Sequence, residues 1–269
     1  MRAGAAWALA GALAFAGSVQ AQEEVPFVTT PDRVTLAMLE LAGVGAADHV
    51  IDLGSGDGRI VITAARRFGA SGLGVEIVPD LVLRSREGAR IAGVQERVEF
   101  REQDLFATDL GRASVVTMYL LPEVNLQLRP RLLALAPGTR IVSHDWDMGD
   151  WQPDRSLTLD VPEKAIGREK SSRIYLWRVP ARVGGVWCAD AARLEIVQRF
   201  QRYSATLADV NASASATPRA VFDGRIEGGQ MHVDPPSALR LELGANDLVM
   251  RTFDGSAARF VRAPEGRCG

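Results

Sequence analysis

The sequence predicts an α/β domain on a mostly parallel sheet that ends in an antiparallel hairpin, followed by a small antiparallel β-domain. Three observations carry this. From residue 31 to about residue 179, short apolar runs alternate with helical patterns, which calls for right-handed crossovers and a parallel sheet covered by helices on both faces. The last two runs, 156–161 and 173–179, are separated only by a charged stretch, so they pair as a hairpin. From residue 184 the texture changes to alternation of apolar and charged residues, the period of half-buried strands.

Thr30-Pro31 reads as an N-cap followed by proline at the first helical position. Val34, Ala37, Met38 and Leu41 then share one face of a helix over 32–41. Residues 49–53 form a short apolar strand. A helix over 60–68 has Arg66 and Arg67 in its last turn and Gly69 just beyond it. A strand at 72–76, a helix at 80–91 and strands at 97–102 and 113–120 follow. A helix at 122–135 and a strand at 139–144 complete the alternation. In the C-terminal part, Leu194, Ile196 and Phe200 broadly alternate with Arg193, Glu195, Arg199 and Gln201, and Leu239, Leu241 and Leu243 with Arg240 and Glu242. Residues 225–233 read as two strands around the turn pair Gly228-Gly229. The expectation is a first domain over 25–181 and a barrel or sandwich of six to eight strands over 184–269.

The formal net charge of −2 and the pI near 6 give no electrostatic footprint for a nucleic acid, so no nucleic-acid partner is expected. Lysine and arginine together number 31, yet the only lysines are Lys164 and Lys170. Residues 1–21 read as an export signal: Arg2, an apolar run from Ala3 to Val19, and a small-x-small site at Val19-Gln20-Ala21. The body is therefore expected in the periplasm or cell envelope, with no stable membrane span after cleavage. In that setting the two cysteines, Cys188 and Cys268, are expected to form a disulfide, against the alternative of two free thiols.

The informative segment is Asp52-Leu53-Gly54-Ser55-Gly56-Asp57-Gly58, at the junction of a strand and a helix. Glycines there let the backbone turn sharply and approach a ligand, at the carboxyl edge where open α/β sheets bind ligands. The spacing is G-x-G-x-G, with an acid two residues before the first glycine, unlike the G-x-G-x-x-G of dinucleotide binders. S-adenosyl-L-methionine has no phosphate and carries an ammonium and a sulfonium, which Asp52 and Asp57 suit. Glu76, ending the second strand, can accept both ribose hydroxyls. Asp104, ending the third, can accept the adenine amino group while the Leu105 N–H donates to a ring nitrogen.

Asp52 to Gly58, Glu76 and Asp104 resemble the signature motifs of class I S-adenosylmethionine-dependent methyltransferases, over about residues 25–180. That resemblance implies a Rossmann-like sheet, parallel with a terminal antiparallel hairpin. Pro26-Phe27-Val28-Thr29-Thr30-Pro31, Asp52 to Val61, Tyr119-Leu120-Leu121-Pro122 and Val142-Ser143-His144-Asp145 further resemble bacterial relatives of the ATP synthase c-subunit lysine methyltransferases. The implied partner is a protein or small-molecule methyl acceptor, a protein lysine among them.

Methyl transfer needs positioning, desolvation and an unprotonated nucleophile, with no metal. Tyr119, Leu121 and Pro122 are candidates for the acceptor wall, although a strand end with a helix-opening proline reads the same way. His144 stands as a general-base candidate beside a structural reading as a strand-capping histidine. Asp145 and Asp147 are candidates to line a cationic site, and Trp146 and Trp151 to cage an ammonium; solvated acids and core tryptophans are the plainer readings. His49 and His232 make no zinc site. The rival to an enzyme is an exported nucleoside-binding or envelope-docking protein that keeps the pocket without catalysis.

Overall fold

A computed structural model describes residues 28–164, 169–213, 216–264 and 266–268; the expected export signal and Pro26-Phe27 lie outside them. Helix α1 (Asp32–Ala42) leads into β1 (His49–Leu53), α2 (Arg59–Phe68), β2 (Ser71–Glu76), α3 (Pro79–Ile91) and β3 (Val98–Glu102). Then follow β4 (Val115–Met118), α4 (Pro122–Leu132), β5 (Arg140–His144), β6 (Arg155–Asp160) and β7 (Ser171–Arg178). These strands form one sheet in the order β3-β2-β1-β4-β5-β7-β6. β1 to β5 are parallel, and β7 runs antiparallel to both β5 and β6.

The strand order reverses between β1 and β4. A crevice therefore opens at the carboxyl ends of these strands, where ligands bind in doubly wound sheets. Central strands are buried on both faces: Val50, Val115, Val142 and Leu176 pack toward α1, while Leu53, Val116, Met118 and Ile141 pack on the α4 side. That two-sided burial is why these strands read as unbroken apolar runs.

The C-terminal unit comprises β8 (Gly185–Cys188), β9 (Ala192–Arg199), β10 (Arg202–Asp209), β11 (Ala220–Glu227), β12 (Gln230–Val233), β13 (Arg240–Leu243), β14 (Asp247–Arg251) and β15 (Ala257–Arg262). Each pairs antiparallel with its neighbour, and β15 returns to β8. β12 and β13 lie side by side at a seam that, among the described residues, has no hydrogen-bonded ladder. The result is an up-and-down barrel filled by Trp187, Leu194, Ile196, Tyr203, Phe222 and Phe260. Cys188 and Cys268 are joined by a disulfide, 80 residues apart in sequence.

The barrel docks against the sheet edge opposite the ligand crevice. The Ala181 N–H donates to Gly228 O at 2.7 Å, the Arg178 guanidinium meets Glu227 at 3.0 Å, and Arg182 reaches Leu133 O at 3.3 Å. On one flank, Phe200 stacks on Trp151 with ring centroids 6.0 Å apart, below the Arg129 guanidinium.

Two local expectations change. Phe200 is not an inward-facing strand residue. With Gln201 it forms the two-residue β9–β10 turn at a φ of 54°, and its ring packs on the other domain. Thr30 does not cap α1; its hydroxyl is 3.3 Å from His144 Nδ1.

Candidate active site

The glycine loop leaves β1 with Gly54, Gly56 and Gly58 all in the left-handed region, at φ values of 72°, 54° and 77°. The N–H groups of Gly54 and Ser55 donate to Val75 O at 3.0 and 2.9 Å, which pins the loop to the tip of β2. Gly58 has a second constraint: a Cβ there would lie 2.6 Å from the Phe100 ring and from Ser85. Ser55 is buried, and its hydroxyl packs above Gly74, where a Cβ would come within 2.7 Å of it. Among the described residues Ser55 Oγ has no hydrogen-bond partner.

The four acids expected here sit in four different settings. Asp52 is buried under the loop, where Thr117 Oγ1 donates to it at 2.7 Å. Burial pushes its carboxyl up to about 7, and the nearby charges of Asp57 and Glu76 push the same way. Glu76 is half-buried at the crevice, accepting from the Gly56 N–H at 3.0 Å on one oxygen and from Ile77 and Val78 at 2.8 and 3.0 Å on the other. Asp104 is exposed at the neighbouring strand tip and caps the short 3₁₀ turn Leu105–Ala107 through the Phe106 N–H at 2.8 Å. Asp57 differs from expectation. The Arg59 guanidinium takes both its oxygens, at 2.9 to 3.1 Å from Nε and 2.5 Å from Nη2, and holds Thr30 O as well. Its negative charge is neutralised locally.

On the acceptor side, the register sets Leu53 beside Met118 and Met118 beside Ser143. Gly54, Tyr119 and His144 thus follow one another across three strand tips. Tyr119 lies over His144 with centroids 4.0 Å apart, and its hydroxyl donates toward Asp145 Oδ2 at 3.4 Å. Burial raises the phenol to about 12, with the adjacent Asp145 charge adding to the rise. Pro122 occupies the first turn of α4.

His144 is not placed to serve as a base. It is buried, with Nδ1 on Thr30 and Nε2 2.9 Å from Ser172 Oγ. Burial holds its pKa well below the ordinary histidine value, opposed by Asp145 and aided by Lys164. The two tryptophans form no cage either. Trp151 is buried against Trp177 and Phe200, whereas Trp146 is exposed. Asp147 accepts from the Gly149 N–H at 2.9 Å within its own loop. His49 bonds Ser71 Oγ at 2.9 Å, and among the described residues no group of His, Cys, Asp or Glu is arranged to hold a metal.

Sequence reasoning misses Lys164. Its ammonium sits 2.7 Å from Asp145 Oδ2, beside Tyr119. The stretch carrying it reads only as the spacer of a hairpin, and its sole signal is that Lys164 and Lys170 are the chain's two lysines.

Comparison with known proteins agrees with this geometry. The model of the ANTKMT methyltransferase domain matches residues 52–155. A protein-lysine N-methyltransferase of Saccharolobus islandicus is 41% identical over 138 residues, covering 51% of this chain and 86% of that protein. The ATP synthase c-subunit lysine N-methyltransferase of Mus musculus is 37% identical over 108 residues, covering 40% of this chain and 43% of the mouse protein, so the match spans less than half of that relative. Among solved structures, an RNA methyltransferase from Salinibacter ruber, bound to S-adenosyl-L-homocysteine, is 52% identical with a TM-score of 0.52, covering 58% of this chain and 96% of that one. With a glycine hinge and two strand-tip acids around one crevice, and with 41% identity across most of the Saccharolobus enzyme, this chain belongs to the class I S-adenosylmethionine-dependent methyltransferases, in the family of that protein.

Proposed function

We propose that the enzyme transfers the methyl group to a lysine amine of a protein, and that Gly54, Gly56, Gly58, Glu76, Asp104 and Leu105 hold the cofactor. The residues present fit that group. Glu76 is half-buried at the tip of β2 beside the glycine loop, and the adjoining tip offers the exposed Asp104 carboxylate. These are acceptors for a ribose diol and an amino group, without a cluster of cations for phosphates. Asp52 supports the loop from beneath, and Asp57 locks its far end through Arg59.

When bound, S-adenosyl-L-methionine supplies an electrophilic methyl carbon. The chain's own residues must orient the acceptor, exclude water and leave the attacking nitrogen unprotonated. Tyr119, raised to about 12, stays protonated at neutral pH and acts as a hydrogen-bond partner. His144 stays neutral and engages both nitrogens inside the fold. Neither takes the proton, so it leaves to solvent or through the Asp145 carboxylate.

The observation that carries a protein lysine as acceptor is the 41% identity to the Saccharolobus protein-lysine N-methyltransferase, over 86% of that protein. The Salinibacter relative is named for RNA, but a net charge of −2 gives no basic footprint for an RNA backbone. The export reading of residues 1–21 accompanies the proposal, and a disulfide suits an oxidising compartment. The test is incubation with methyl-labelled cofactor and either poly-L-lysine or an envelope extract, followed by acid hydrolysis. Labelled methyl-lysine is expected; label that ribonuclease releases, with none in lysine, would overturn the reading.

A further inference from the structure

Asp145 stands at the end of β5 with a φ of 62°, held there by the Arg173 N–H on Oδ1 at 3.0 Å and by its own N–H on Arg173 O at 2.7 Å. This grip leaves Oδ2 turned inward. Two donors face it, the Lys164 ammonium at 2.7 Å and the Tyr119 hydroxyl at 3.4 Å, and His144 Nε2 lies 3.4 Å away. The ammonium also donates to Ser171 O at 2.6 Å. The side chains of Lys164 and Asp145 are only 14% and 15% exposed, so a primary ammonium is seated in a nearly closed niche. Register places that niche two strand tips from Gly54, on the side from which an acceptor would approach.

The choice of cation is unusual for this chain. Its other acid–base pairs among the described residues use arginine or histidine, and arginine makes the more rigid, bidentate pair. A purely structural brace would be served by the residue the chain uses everywhere else. Lysine supplies instead an alkylammonium with the shape and charge of an acceptor lysine.

We propose that Asp145 Oδ2, with the Tyr119 hydroxyl, is a binding point for a primary ammonium, and that Lys164 is its resident occupant, which an incoming acceptor amine displaces. The exchange is non-covalent: one ammonium replaces another on the same carboxylate oxygen, which would be costly to leave unpaired in so closed a niche. The proposal rests on the lysine reading above, and it makes Lys164 a built-in competitor of the acceptor.

The test uses the full chain saturated with S-adenosyl-L-homocysteine and titrated calorimetrically with n-butylammonium chloride, a mimic of the lysine side chain. Lys164→Met should bind the probe at least fivefold more tightly than wild type, and adding Asp145→Asn to it should abolish binding. Lys164→Arg, which keeps a cation in place, should bind no better than wild type. Equal affinity in wild type and Lys164→Met, or binding that survives Asp145→Asn, overturns the proposal. Retained affinity for S-adenosyl-L-homocysteine verifies that each variant is folded. A parallel assay on poly-L-lysine separates the two claims. If Lys164→Met tightens butylammonium but no lysine is methylated, the lysine reading falls and the ammonium site stands. If lysine is methylated with a KM unchanged by Lys164→Met, only the ammonium site falls.

Discussion

Glu76 Oε2 accepts the backbone N–H of Gly56 at 3.0 Å, tying the tip of β2 to the middle of the loop that follows β1. One carboxylate thereby fixes the backbone of the glycine hinge while facing the crevice. The loop is pre-shaped before any ligand arrives, which lowers the ordering cost of binding.

Gly58 is the position where that shape is least negotiable. A left-handed φ of 77° and a Cβ position 2.6 Å from Phe100 and Ser85 oppose any side chain. Gly58→Ala should destabilise the protein by about 2–4 kcal/mol, from backbone strain plus overpacking. It should also weaken cofactor binding at least tenfold. Denaturant unfolding and calorimetry check both; a variant of wild-type stability would show that the loop relaxes freely.

His144 links the N-terminal segment to β7, and its pKa is held below the ordinary 6.5 chiefly by burial. The folded state then binds fewer protons than the unfolded chain. This contribution is complete above the unfolded value and is lost as pH falls from about 6.5 toward the folded value. Between pH 7.5 and 5, wild type should lose about 1–2 kcal/mol more stability than His144→Gln. Parallel pH profiles for the two proteins would show that His144 titrates normally.

Phe200 tests the docking of the barrel. Its ring covers Trp151 and meets Arg129, while Gln201 donates to Gln152 O at 2.6 Å. Phe200→Ala should cost about 2–4 kcal/mol of stability, in the range of aromatic truncations at packed sites. Methyl-transfer kcat should stay within twofold of wild type, because these contacts lie away from the crevice. A large loss of kcat in a folded variant would place the barrel in the reaction.

The disulfide closes a loop of 80 residues. Replacing Cys188 and Cys268 by serine should lower barrel stability by about 2–4 kcal/mol. Peptide mapping of unreduced protein should recover the two cysteine peptides linked; two alkylatable thiols would contradict the bridge.

The first sheet is legible because its signals are local. Apolar runs of strand length, the glycine spacing of 54, 56 and 58, and acids at 76 and 104 all fall within short windows, and the hairpin follows from the missing helix between β6 and β7. Side-chain roles are harder to read. His144 looks available as a base because its partners, Thr30 and Ser172, lie 114 and 28 residues away. Phe200 continues the period of β9 by one residue, and only the two-residue turn, set by pairing Arg199 with Arg202, turns its ring out of the barrel. Asp57 looks like a ligand for a cation because the sequence does not show that Arg59 folds back onto it. Barrel closure between β8 and β15 joins the two ends of the unit, a pairing that no local pattern encodes.

The central claim is that one crevice, formed by the glycine hinge and the acids on β2 and β3, holds the cofactor. Calorimetry of S-adenosyl-L-homocysteine with wild type and with Glu76→Ala tests it most directly. The account predicts a loss of about 1.5–3 kcal/mol on removing this charged acceptor, with the variant still folded by thermal melting. Wild-type affinity in a folded Glu76→Ala protein would contradict it.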